Sequence, residues 1–483
     1  MSQMATRRTG LQLLVIVIGV LIAAVDTTIV ILALPAMRTA LHVGFASIVW
    51  VVLGYLLVIT LLATQVGRLG DMFGRVRMYE AGFLLFVLGS ALCALSWNEA
   101  SIVAFRLLQG VGGAFISANS GAVIADIFPR ESRGRAYGYT SIGWNLGAVL
   151  GILAGGALVT LLNWRWIFWI NVPIGGAAVV LAFYVLDPAG EHRPRQLDMP
   201  GMALLGGGLL AILWALVRLT AVPLSLPTAM DIGVGLALLA AFVWVEAHSR
   251  DPMLQLTLFA VPTMTPSFLA SFFQALANFA VLFLITMYLQ GVRGLTPLNA
   301  ALLLVPGYLV GGLLGPVSGR MADRLSPAVP ATVGLGLQCA ALLLYAQLGL
   351  ASPLWMVSAI SVVNGFGSAG FFPANNSAVM KASPPGVFGV ASGMLRTISN
   401  LGMVLSFTMA LVVAAQAVTR RVAFAIFVGS SNLTAVAGRS FLHGIHAAFY
   451  ASVAALVVAG VMSAVRGRPQ TTATPERRDW ASS

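Results

Sequence analysis

The sequence predicts an all-α membrane protein: two six-helix bundles with two further helices inserted between them, fourteen transmembrane helices in all. Three observations lead there. First, the 483 residues are 59% hydrophobic and only 9% charged, where an average soluble domain carries about a quarter charged residues. Second, fourteen apolar stretches reach the roughly 20 residues that a helix needs to cross the hydrocarbon. They centre near Ala24, Leu57, Val87, Gly112, Ala148, Gly176, Leu209, Leu238, Asn278, Val310, Ala340, Gly365, Ala391 and Ala454. Third, the chain repeats itself at one nearly constant offset.

The first span follows Arg7 and Arg8, as a signal peptide would, but its apolar run continues to Ala36. That is too long for a cleaved segment, so a retained helix is expected. An even number of spans puts both termini on one side. With the termini inside, the inner segments hold 18 basic residues and the outer loops 7. Short basic loops face the cytoplasm, so both termini are expected there, in a multi-pass protein of the cell (inner or plasma) membrane. The basic residues are scattered through short loops and build no basic domain, which speaks against nucleic acid. Cys93 and Cys339 both lie in apolar runs and offer neither a disulfide framework nor a zinc spacing.

The repeat has three matching pairs in order. Gly67-Arg-Leu-Gly-Asp-Met-Phe-Gly-Arg75 follows the second span, and Gly319-Arg-Met-Ala-Asp-Arg324 follows the tenth. Gln109-Gly-Val-Gly-Gly-Ala114 matches Asn364-Gly-Phe-Gly-Ser-Ala369, and Asn145-Leu-Gly-Ala-Val-Leu150 matches Asn400-Leu-Gly-Met-Val-Leu405. The offsets are 252, 255 and 255 residues. Helices 1–6 therefore map onto helices 9–14, and helices 7 and 8 are the insertion. The expected organisation is a first bundle over 1–186, a linker with two helices over 187–250, and a second bundle with a tail over 251–483. Parallel six-helix repeats are a transporter architecture. Outside the spans, a long outer loop is expected from 418 to 442, with its apolar 422–428 segment lying on the membrane surface.

These residues resemble the major facilitator superfamily and, more narrowly, its fourteen-helix drug:proton antiporter family. Asp26-Thr-Thr-Ile-Val-Ile-Leu-Ala-Leu-Pro35 is similar to that family's first-helix signature, with Ile31 where an asparagine is common. Residues 67–77 match the superfamily's loop signature, and Arg106-Leu-Leu-Gln-Gly-Val-Gly-Gly-Ala114 its fourth-helix signature. Asn163-Trp-Arg-Trp-Ile-Phe-Trp-Ile-Asn-Val-Pro173 and Tyr288-Leu-Gln290 with Pro297 are typical of the family. The fifth helix carries the antiporter signature at Gly138, Gly147, Gly151, Gly155 and Gly156, but Ile152 stands where a proline is expected. The resemblance implies a major facilitator fold, proton coupling at Asp26, and gating by the loop residues Gly67, Asp71, Gly74, Arg75 and Arg77 with Asp323 in the second half.

The residues themselves carry a parallel reading. A carboxylate deep in a span, as Asp26 is, is expensive unless it faces a wet cavity or a partner, and such a group suits proton binding. Arg106 stays charged, so it cannot carry the proton; it can act on a nearby acid or order a polar network. The bland alternative for both is a brace between helices. Asp71 is expected either to cap the next helix or to pair with a basic group across the two bundles. Gly147, Gly151 and Gly155 recur every four residues on one helix face, which permits close helix approach. They are expected to form a seam between the bundles, with Ile152→Pro tolerated. Tyr55, Asn119, Asn145, Gln274, Asn278, Asn375 and Arg396 are candidates to line a substrate cavity.

No catalytic constellation or metal site is expected. His443 and His446 share a helix face without a carboxylate or cysteine beside them, and no phosphate-binding Gly-Lys-Ser/Thr loop is present. No cofactor is expected, and the proton gradient is the expected energy source. The expected function is proton-coupled export of small amphipathic or drug-like compounds. Transport of one specific metabolite, sugar or lipid on the same fold is the alternative. The expected partners are a small-molecule substrate, protons and the lipid bilayer, with the chain working as a monomer.

Overall fold

A computed structural model describes residues 3–128, 130–187, 197–219, 225–249, 252–324, 326–383, 388–416 and 435–466. The expected surface segment 422–428 and residues 188–196, 220–224 and 250 of the expected linker lie outside them. The described residues form fourteen long helices. In lipid a helix satisfies its own backbone polar groups, which an apolar chain without water needs. The first bundle contains α1 (Gln3–Leu41), α2 (Trp50–Phe73), α3 (Arg75–Ala94), α4 (Glu99–Ile127), α5 (Arg130–Leu161) and α6 (Asn171–Val185). Then come α7 (Met199–Leu219) and α8 (Leu226–His248). The second bundle contains α9 (Met264–Thr286), α10 (Pro297–Arg324), α11 (Ala328–Tyr345), α12 (Leu354–Ala382), α13 (Phe388–Gln416) and α14 (Ala435–Val465).

Every expected span centre falls in a separate helix, although Ala391 lies only in the first turn of α13. Twelve described helices are long and apolar enough to cross a membrane. The count is thirteen if α2, bent by 53° between Ala63 and Gln65, is one span. Fourteen were expected. The remaining long helix is α13, where Arg396, Thr397, Ser399 and Asn400 interrupt the apolar run.

Local signals set the helix ends. Asn98 and Ser101 form a reciprocal capping box at the start of α4, which satisfies two of its free N–H groups. Gly74 takes φ +101° between α2 and α3, a conformation that L side chains rarely adopt. The tight turn depends on it.

The packing repeats between the halves. In the first, α1 packs on α5, α2 and α3 on α4, and α3 on α6. In the second, α9 packs on α13, α10 and α11 on α12, and α11 on α14. The halves meet along two reciprocal seams, α5 with α10 and α2 with α13. The α7–α8 pair packs on itself and touches α2 and α13 through α7, so it flanks one seam. Its outer surface exposes Leu226, Met230, Val234, Leu236, Val243 and Trp244, side chains suited to lipid. The bundle interiors are aromatic, with Tyr79, Phe83, Phe86 and Phe168 buried in the first and Phe268, Phe371, Phe407 and Phe449 in the second.

One expectation about α5 is corrected. Its glycine face does not meet the other bundle. A Cβ on Gly147 would come 2.5 Å from the Leu21 carbonyl oxygen, and one on Gly151 2.2 Å from Thr28 Oγ1. One on Gly155 would come 2.9 Å from Ile29 Cγ1. All three partners lie on α1, so these glycines close the first bundle. Gly156, one residue round the helix, faces the seam instead: its Cβ would lie 2.8 Å from the Pro297 carbonyl oxygen on α10. Spacing identifies a glycine stripe, but not which neighbour it meets. Ile152 is fully buried, so a proline there would also remove a packed side chain. Gly138 lies in a stretch of α5 whose side-chain surroundings fall outside the description.

Candidate functional site: a buried ion pair in the first bundle

Asp26 on α1 and Arg106 on α4 are 80 residues apart and in direct contact. Arg106 Nη1 donates to Asp26 Oδ2 at 2.8 Å, with side-chain exposures of 1% and 0%. A buried pair holds its place only if further hydrogen bonds satisfy the remaining polar atoms. Here they do. Gln109, three residues after Arg106 and so on the same face of α4, bridges the pair. Its Oε1 accepts from Arg106 Nη1 at 2.7 Å, and its Nε2 donates to Asp26 Oδ1 at 2.9 Å. Asn171 Nδ2, at the start of α6, reaches the same Oδ1 at 3.4 Å and Ser90 Oγ on α3 at 3.2 Å. Arg106 Nε donates to the Val51 carbonyl on α2 at 2.9 Å, and the guanidinium stacks 4.2 Å over the Tyr55 ring, a favourable cation–π geometry. The network thus ties α1, α2, α3, α4 and α6 together.

Tyr55, proposed as cavity lining, belongs to this network; it is 1% exposed and its hydroxyl has no hydrogen-bond partner. Gln109, Asn171 and Ser90 were not anticipated as site residues. Gln109 and Asn171 lie inside the fourth-helix and 163–173 signatures, which could have marked them, whereas the signal of Ser90 is only that it is polar within an apolar run.

The remaining candidates do not gather around one cavity. Gln274 and Asn278 on α9 both donate to Gln338 Oε1 on α11, and Gln338 Nε2 donates to Ser368 Oγ on α12 at 3.1 Å. Asn119 and Asn375 are fully buried elsewhere: Asn119 donates to the Phe115 carbonyl, and Asn375 donates to the Ser267 carbonyl and accepts from Arg466. Burial pushes the Arg466 guanidinium, just beyond α14, down to about 10. Asn145 sits on the α5–α10 seam, where a Cβ on Gly312 would meet its own Cβ at 3.0 Å. Arg396 is exposed and donates across the bundles to the Ser117 carbonyl on α4.

At the loop, Asp71 neither caps α3 nor reaches the second bundle among the described residues. It accepts from Arg75 Nε at 3.0 Å and Nη2 at 2.8 Å, and Arg75 Nη1 contacts Asp126 Oδ1 on α4 at 2.6 Å. The four-residue separation across the Gly74 turn makes this local pair the nearest available. Gly67 has open space around it, whereas a Cβ on Gly70 would come 2.3 Å from Asn119 Oδ1; the close approach is at Gly70. Arg77 is exposed, and the Asp323 side chain lies outside the described residues. His446 Nε2 meets the Leu348 carbonyl at 2.8 Å.

The geometry is that of a carboxylate, its cation and bridging amides buried inside a helix bundle. Comparison with known proteins agrees with the architecture. The tetracenomycin C resistance and export protein of Streptomyces glaucescens is 31% identical over 81% of this chain and 73% of its own length. The riboflavin transporter RibZ of Clostridioides difficile is 30% identical over 83% of this chain and 87% of its own. The multidrug resistance protein Stp of Mycobacterium tuberculosis is 29% identical over 81% and 73%. Among solved structures, an inward-facing, unoccupied bacterial homologue of the human lysosomal transporter Spinster superposes with a TM-score of 0.68 at 16% identity, over 96% of this chain and 98% of that one, a likeness of fold. The Major Facilitator Superfamily model matches residues 16–407. With helix packing, internal repeat and sequence in agreement, the chain belongs to the major facilitator superfamily and is a multi-span membrane transporter, not an enzyme.

Proposed function

We propose that this transporter exports small amphipathic compounds in exchange for protons, by alternating access of residues 1–186 and 251–483 about the α5–α10 and α2–α13 seams, with 187–250 as the inserted linker. The observation that carries this reading is the sealed Asp26–Arg106 pair. Protonating Asp26 removes the charge that Arg106 answers. The network tying five helices must then rearrange, so proton binding and bundle geometry are linked. Arg106 keeps its charge throughout and acts on Asp26 by position. Substrate would occupy the space between the bundles, where Arg396 faces α4. Asp71 and Arg75 would stabilise one closed state at the loop. The drug-export relatives favour this substrate class. The excess of basic residues, 18 against 7, supports cytoplasmic termini in the cell membrane, and the proton gradient is the energy source for a monomer.

The test is dye efflux from proteoliposomes energised by a pH gradient. Wild type is expected to transport uphill; Asp26→Asn is expected to insert normally and lose uphill transport. Normal proton-driven efflux by Asp26→Asn would remove Asp26 from the coupling role. A second reading, transport of a single metabolite, is favoured by the riboflavin-transporting relative. Saturable uptake of riboflavin without competition by cationic dyes would select it.

A further inference from the structure

Two more carboxyl groups are buried far from Asp26 in sequence, where the inserted helices meet α2. Asp198 immediately precedes α7, and Glu246 lies in the last turn of α8; they are 7% and 2% exposed. Each has one satisfied oxygen. Asp198 Oδ1 accepts from the Gly201 N–H at 2.8 Å, and Glu246 Oε2 from the Leu254 N–H at 3.0 Å. The others, Asp198 Oδ2 and Glu246 Oε1, are buried without a donor, and the two carboxyl groups are close enough to act on each other electrostatically. Gln65 on α2 accepts from the Asp198 N–H at 3.3 Å, while its own buried Nε2 has no partner. Among the described residues, the charged groups facing Glu246 are Asp198 and Arg68. Arg68, on α2, donates to the Pro252 carbonyl at 2.6 Å. His248, on the same helix as Glu246, turns to the Trp244 carbonyl.

Two ionised carboxylates cannot donate to each other, and side by side they repel. One proton resolves both faults, because a protonated carboxyl donates to its neighbour. We propose that Asp198 and Glu246 share a single proton, forming a second proton-binding site that clasps the α7–α8 pair onto the end of α2. The proton is held at lower pH. As pH rises it leaves, the two anions repel, and the contacts to Gly201 and Leu254 loosen beside the 67–77 loop. The clasp does not depend on the role of Asp26.

The experiment uses the full chain in lipid nanodiscs, in an Asp26→Asn background so that Asp26 contributes no carboxylic acid signal. Infrared spectra should show a protonated carboxyl band that disappears as pH rises and is absent in Glu246→Gln. Amide exchange at Leu254, corrected for its chemical rate, should rise about tenfold across the same step. In Glu246→Gln the amide donates permanently to Asp198, so exchange should stay slow at every pH. Asp198→Asn, which donates from the other side, provides the same test if the first variant misfolds. A pH-independent Leu254 amide in the parent, a step that survives Glu246→Gln, or no carboxylic acid band would overturn the proposal.

Discussion

The two bundles hold different chemistry at corresponding positions. An offset of 252 residues places Asn278 opposite Asp26, and one of 255 places Ser361 opposite Arg106 and Asn364 opposite Gln109. In the first bundle a charged pair is satisfied by amides; in the second, Gln274, Asn278, Gln338 and Ser368 hold each other without any charge. The helix contacts that frame them are the same, α1 on α5 against α9 on α13. A neutral amide cluster keeps its hydrogen bonds at any ordinary pH, whereas an ion pair answers to a proton. The difference teaches that a duplicated scaffold can hold a buried ion pair in one half and a neutral amide cluster in the other.

The strongest break of this comparison is Arg106→Ser, which copies the second half at one position only. It leaves Asp26 buried without its cation, and about 3–5 kcal/mol of stability should be lost, read as thermal unfolding in detergent. Adding Asp26→Asn extends the copy to both members of the charged pair. The double variant should recover most of that stability while uphill efflux stays absent; if it unfolds as easily as Arg106→Ser, the two networks are not interchangeable scaffolds.

Gly151→Leu should cost about 1–3 kcal/mol by overpacking α5 on α1 and lower the yield of folded protein. Gly156→Leu faces α10, so it should spare folding of the first bundle and slow turnover. Equal effects of both on unfolding temperature would contradict the division between intra-bundle and inter-bundle glycines. In the second half, Gln338→Leu strips Asn278 and Gln274 of their shared acceptor. It should cost about 1–3 kcal/mol and leave dependence on the pH gradient intact; loss of that dependence would place coupling in both halves. The smallest stability effect is expected from Asp71→Asn, about 0–1 kcal/mol for a partly exposed pair, because Arg75 keeps Asp126. Turnover at saturating substrate should still fall more than substrate affinity does.

Much of this was legible in the chain. Asp26 and Arg106 stand out because charges in apolar runs are rare, and both proved buried. Gln109 and Asn171 did not stand out, because an amide in a membrane helix can face a cavity, a neighbour or its own backbone at little difference in sequence. Asn119 and Asn375 illustrate the same ambiguity: expected at a cavity, they are packed against backbone and arginine. The glycine stripe of α5 was visible as a period, but its partner was not, since a period fixes a face and leaves the neighbour open.

The sequence by itself determined the solvent, the helices and the duplication. These follow from apolar content, span length and repeat offset, all of which are additive along the chain. Only the tertiary structure decided that Asp26 meets Arg106, that Asp71 meets Arg75, that α1 closes on the α5 glycines, and that Glu246 meets the Leu254 N–H. Those contacts join residues from different helices or across a turn. They depend on how each helix is rotated about its axis and on which neighbour it meets, and hydropathy leaves both nearly free in a chain whose helices are apolar on almost every side.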